Sequence, residues 1–110
     1  PEGVKTIGKG AFYQCTSLER ATLPSSITEI AGWLFNECTS LESVAIPNSV
    51  VTIGDSAFYG CTGLTSLIIP SSVTTIGSEA FNNCIELKEI VMSKNIEYVG
   101  NWCFNKIRRS

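Results

Sequence analysis

A chain of 110 residues, 44% hydrophobic and 16% charged, amounts to about one domain of folded protein, neither disordered nor fibrous. Its net charge of −2 supplies no positive field to collect nucleic acid or an anionic membrane. It contains no histidine, which removes Ser–His and Cys–His catalytic pairs and every His-ligated metal site, and its one aspartate is Asp55.

No stretch reaches the roughly 18 consecutive apolar residues a membrane helix needs. The opening Pro1-Glu2-Gly3-Val4 lacks the basic and apolar regions of a signal peptide, as any mature or excised chain would. No Asn-x-Ser/Thr glycosylation acceptor is present. The five cysteines are odd in number and too evenly placed for a small disulfide knot. Four of them, Cys15, Cys38, Cys61 and Cys84, recur every 23 residues.

The same step organises the whole chain. Units run 1–23, 24–46, 47–69 and 70–92, with a partial fifth at 93–110, and a fixed period of this size means a solenoid, propeller or array. Each of the first four units opens on Pro1, Pro24, Pro47 or Pro70, which cannot donate to a ladder and favours a turn. A short extended piece follows, exemplified by Val73-Thr74-Thr75-Ile76. Next comes a glycine column, Gly8, Gly54, Gly77 and Gly100, with Ala31 as its exception. Ala80-Phe81-x-x-Cys84-x-x-Leu87 then spaces apolar residues at three and four, which predicts one or two helical turns. Each unit closes on an alternating segment such as Leu64-x-x-Leu67-x-Ile69, which predicts a short strand with one buried face.

A single 23-residue unit cannot cover its own apolar face. Stacked units bury a continuous core, with each Phe of the column Phe12, Phe35, Phe58, Phe81 and Phe104 on the next. Most fully in Ile69-Pro70-Ser71-Ser72-Val73, Ile76-Gly77, Ala80-Phe81, Cys84 and Leu87, the unit closely resembles the BspA-like, or Treponema-type, leucine-rich repeat. The resemblance covers essentially the whole chain. It implies an α/β right-handed solenoid of about five coils forming one domain over 1–110. A parallel β-sheet would line its concave face, with short helical turns and short extended segments opposite. It further implies a secreted or cell-surface protein associated with adhesion, with no enzymatic activity or cofactor belonging to the repeat.

Candidate sites follow from the columns. The linear file of Cys side chains points in parallel, which suits neither a disulfide ladder nor a four-ligand zinc site, so buried free thiols are expected. Cys103 lies in another column, with Ala11, Leu34, Ala57 and Ala80, and is expected to fill core. On the concave sheet the outward residues are Arg20 and Thr22, Ser43 and Ala45, Ser66 and Ile68, and Glu89 and Val91. The file Thr22, Ala45, Ile68, Val91 grows apolar toward the C-terminal end, which reads either as a protein-binding patch or as ordinary β-branched strand surface. Trp33 and Trp102 share an otherwise small or polar column with Gly10, Ser56 and Glu79 and are expected outside, as interface anchors or as packing over a neighbouring turn. Tyr13 and Tyr59 are expected to flank them. Lys106, Arg108 and Arg109 form the one basic cluster and read as a solvated chain end.

Position 1 is already in register with the repeat, and Ser93, Ile107 and Ser110 depart from it, so a longer array with a decaying last unit is expected. The leading reading is a non-catalytic module that binds a protein partner, without nucleic acid and without membrane insertion. The alternatives are a structural spacer and self-association through uncapped end coils.

Overall fold

The computed structural model describes residues 7–92 and 94–105. Eight short strands alternate along the chain: β1 (Arg20–Thr22), β2 (Glu29–Ile30), β3 (Ser43–Ala45), β4 (Thr52–Ile53), β5 (Ser66–Ile68), β6 (Thr75–Ile76), β7 (Glu89–Val91) and β8 (Tyr98–Val99). Every pairing is parallel and joins residues 23 apart, such as Arg20 with Ser43, Ile53 with Ile76 and Ile68 with Val91. The three-residue strands form one side of the coil, as the ladders β1–β3 and β5–β7. The two-residue strands form the four-stranded ladder β2-β4-β6-β8. The chain is therefore a parallel-strand β-solenoid of the leucine-rich-repeat kind. Units 24–46, 47–69 and 70–92 are its complete coils among the described residues, fewer than the five expected, with partial coils flanking them. The expectations placed on Pro1, Val4, Ser93, Lys106, Ile107, Arg108, Arg109 and Ser110 lie outside the described residues.

The α/β class and the helical turns are corrected: the described residues contain no helix. In the segment after Gly54, the N–H groups of Ala57, Tyr59 and Cys61 donate to carbonyls three residues back, at 3.1–3.3 Å. Those of Ser56, Phe58 and Gly60, one residue out of step, donate instead to Ser78, Ala80 and Asn82 in the next coil, at 2.8–2.9 Å. An α-helix would send all of them four residues back. The alternation turns on two left-handed positions per coil, one holding Gly10, Trp33, Ser56, Glu79 and Trp102 (φ 55–68°) and the other Gln14, Glu37, Gly60 and Asn83 (φ 57–73°). These residues break any helix and let the turn face continue as a hydrogen-bonded ladder from coil to coil.

The core is a stack of files. Phe35, Phe58 and Phe81 are fully buried, and adjacent Phe rings lie 5.2–5.6 Å apart and within 18° of parallel from Phe12 to Phe104. Aromatic pairs at such offsets contribute about 0.5–1.5 kcal/mol beyond area burial. The glycine file of Gly54, Gly77 and Gly100 explains how closely the coils approach. A Cβ on Gly77 would meet the backbone nitrogen of Asp55 at 2.6 Å, so only a bare backbone fits there. Ala31 carries a Cβ in this file, and the Phe12–Phe35 joint beside it is the widest of the four, at 5.6 Å.

Candidate functional site

The strand face arises from period-two alternation. Ala21, Val44, Leu67 and Ile90 point into the core at the middle of their strands, which leaves the residues on either side outward. All eight residues expected there are exposed: Arg20, Thr22, Ser43, Ala45, Ser66, Ile68, Glu89 and Val91. Pairing places Thr22 beside Ala45 and Ile68 beside Val91, so the apolar end of the file is a contiguous pair. Ile68 is 68% exposed and Val91 57% exposed. Ser66 and Glu89 lie beside them in the same ladder and supply a polar margin. Between β3 and β5 the strands lie side by side without ladder hydrogen bonds, so this face divides into two halves.

Trp33 and Trp102 lie elsewhere, on the turn face, 41% and 65% exposed. Trp33 packs against Tyr13 with ring centroids 6.0 Å apart and planes tilted by 56°, so it is both packed and accessible. Tyr59 is half-buried, while Asn36 and Asn82 of the same column are buried. The Asn36 amide donates to the Ser56 carbonyl at 3.4 Å. The structure does not bring the two Trp residues together with the strand-face residues into one site.

Two features lie beyond what the sequence reading found. First, the cysteines are more than small hydrophobes. The Sγ atoms of Cys38, Cys61 and Cys84 each donate to the carbonyl of a Phe in the preceding coil (Phe12, Phe35 and Phe58), at 3.0 Å. Each of these carbonyls also accepts a turn N–H from the residue three further on, at 3.1 Å. All five cysteines are free. Burial pushes the Cys84 thiol up to about 12 and that of Cys103 to about 11. Cys61 is raised further, by burial first and then by the neighbouring thiols. These groups stay protonated at neutral pH and so are no nucleophiles.

Second, a groove of about 430 Å³ lies along the turn face, lined by Gln14, Glu37, Gly60 and Asn83 of one left-handed column and by the threonines beside it. Gln14 Nε2 donates to Glu37 Oε1 at 2.7 Å across two coils. Its signal was present in the sequence as Thr16, Thr39 and Thr62, 23 apart. Polar columns attract no notice beside apolar ones, because they do not build the core.

Comparison with known proteins adds three kinds of finding. A family model described as a BspA type leucine rich repeat region matches residues 1–109 in six copies. The fold is similar to a leucine rich repeat protein from T. pallidum, at 31% identity and a TM-score of 0.91, covering 94% of this chain and 50% of that one. It is also similar to a leucine rich cell surface protein from Faecalibacterium prausnitzii, at 41% identity and a TM-score of 0.71, covering 74% of this chain and 21% of the other. The pneumococcal vaccine antigen PcpA matches at 27% identity and a TM-score of 0.82, over 100% of this chain and 29% of its own. The chain thus spans half or less of the length of these structures. No curated protein matches it.

Proposed function

The chain belongs to the BspA-type leucine-rich repeat family, and from that premise we propose that it is a non-catalytic protein-binding module of a cell-surface protein, serving adhesion or partner capture. The observation that carries this reading is the Ile68–Val91 pair: two large apolar side chains, adjacent by strand register, left largely in solvent on a preformed sheet. Apolar surface of this kind with a polar margin stabilises association once a partner covers it. The rigid ladder beneath limits the ordering cost of binding. Arg20, Thr22, Ser43, Ala45, Ser66 and Glu89 extend the contact surface along the same face. Surface location is supported by the relatives, one described as a cell surface protein and another as a vaccine antigen.

The test is the paired variant Ile68→Glu, Val91→Lys in the full-length parent protein. Loss of partner capture with an unchanged thermal midpoint supports the binding face. Capture that survives with full strength assigns the repeat segment to spacing instead, projecting whatever flanks it.

A further inference from the structure

The turn face carries exposed aromatic rings that the strand-face reading leaves unused, and we propose that it is a second docking surface, for an arginine-bearing segment of a partner protein. One left-handed column builds it. Trp33, Ser56, Glu79 and Trp102 occupy that column in successive coils, with φ of 66°, 55°, 60° and 65°. Glycine adopts this conformation freely, and Gly10 holds it one coil earlier, whereas a bulky side chain there is strained. Trp102 offsets the strain with little packing, since it is 65% exposed. A strained position that burial does not explain points to use at the surface.

The column has relief and two unlike ends. Ser56 is buried between the exposed Trp33 and the half-buried Glu79, so the surface drops there. At one end the exposed Tyr13 and Trp33 pack together, ring centroids 6.0 Å apart, and offer an apolar contact. At the other end Glu79 stands one coil before Trp102, its N–H donating to the Asn101 carbonyl at 2.9 Å. The amide of the buried Asn82 donates to Glu79 Oε2 at 3.4 Å and holds the carboxylate before a ligand arrives. Among the described residues no Lys or Arg pairs with Glu79.

A carboxylate beside an indole takes a cation, and a planar guanidinium suits both at once, because it hydrogen-bonds the carboxylate while stacking on the ring. The two Trp are separated by three coil steps of 5.2–5.5 Å. That is too far for a cage around one small ammonium ion, whose rings lie within about 6 Å of the charge. It suits a chain: about five extended residues at roughly 3.3 Å each place an arginine on Glu79 and Trp102 and an apolar side chain on Trp33 and Tyr13. Charge sets the sign. From the glycine file to the threonine file the charged residues among those described are Lys9, Glu37, Asp55 and Glu79, a balance that repels phosphate and attracts a basic segment.

The experiment selects a phage-displayed random peptide library on the purified chain, after depletion on the Trp102→Ser variant, and titrates the best binder as a synthetic peptide. Ser56 shows that the column accepts serine, so that variant is expected to keep or raise the thermal midpoint. The expected peptides carry an arginine with an apolar residue about five positions away. Citrulline in place of that arginine, which keeps the shape and loses the charge, abolishes binding, and lysine weakens it. Glu79→Gln lowers the affinity roughly tenfold or more and removes its salt dependence, Trp33→Ser lowers it less, and Ile68→Glu leaves it as it was. The proposal is overturned if depletion leaves no binder, if the binders lack arginine, if the citrulline peptide binds equally, or if Glu79→Gln keeps full affinity. It is also overturned if the chain binds phosphatidylserine vesicles and Trp102→Ser abolishes that binding, which makes the rings membrane anchors. Because the turn-face column and the strand face share no residue, each reading can fail while the other stands.

Discussion

The turn face and the strand face of the same coils are built to different standards. On the turn side each interior coil repeats the same devices: a stacked Phe, a thiol donating to the Phe carbonyl before it, and two left-handed residues that pass hydrogen bonds to the next coil. On the strand side the ladder holds three residues per strand, divides between β3 and β5, and changes its outward residues in every unit. The difference teaches that cohesion along the solenoid axis is concentrated where side chains are invariant from coil to coil. The strand face is held in register from behind, by Ala21, Val44, Leu67 and Ile90, and its outward positions are left to vary.

The comparison can be broken most directly at its strongest point. Phe58→Ala removes the middle ring of the stack and is expected to cost about 3–5 kcal/mol in urea unfolding. The same change at the half-buried Phe12 should cost clearly less, and equal costs would show that the stack is not the main source of cohesion. Gly77→Ala comes next, because its Cβ meets not only the Asp55 side-chain oxygen but also the backbone of Asp55 and Gly54, which cannot swing away; about 1–3 kcal/mol is expected, read as a fall in thermal midpoint.

The thiol file gives a smaller and pH-dependent effect. The folded-state values of Cys84 and Cys103 lie above the ordinary 9.0, so the folded chain holds these protons more tightly than the unfolded one. Their contribution is complete below about pH 9 and is lost as the pH rises through 11 and 12. Stability should therefore fall between pH 9 and 12, and Cys84→Ala should flatten that fall; a slope unchanged by the substitution would remove the thiols from the account. Thiol titration tests the same burial, with the denatured chain expected to yield all five groups without reductant and the native chain to react slowly except at the half-buried Cys15. The smallest stability effect belongs to Ile68→Glu with Val91→Lys, within about 0.5 kcal/mol. A large loss there would mean that the strand face carries cohesion after all.

Much of this architecture was legible in the columns. A period of 23 placed Arg20 beside Ser43 and Ile68 beside Val91, because parallel stacking of identical units leaves one register open. It also marked which positions face out, since alternation about a buried middle residue is a property of any strand. The spacing in Ala80-Phe81-x-x-Cys84-x-x-Leu87 misled in the direction of a helix. Apolar steps of three and four satisfy a chain of tight turns as well as they satisfy a helix. The clue against it was Gly10 and Gly60, glycines at two left-handed positions that the other coils fill with Trp33, Glu37 or Asn83.

By itself, then, the amino-acid order determined the period, the parallel register and the files of the core, because these follow from repetition and from the need to bury one face of each unit. Only the tertiary structure decided how the turn is made and what it presents. Whether an N–H bonds within its own turn or to the next coil depends on a neighbour 22 residues away, and the partner of each thiol is a carbonyl 26 residues away. The groove between Gln14, Glu37 and Asn83 exists for the same reason: its walls come from successive coils and meet only once these are stacked.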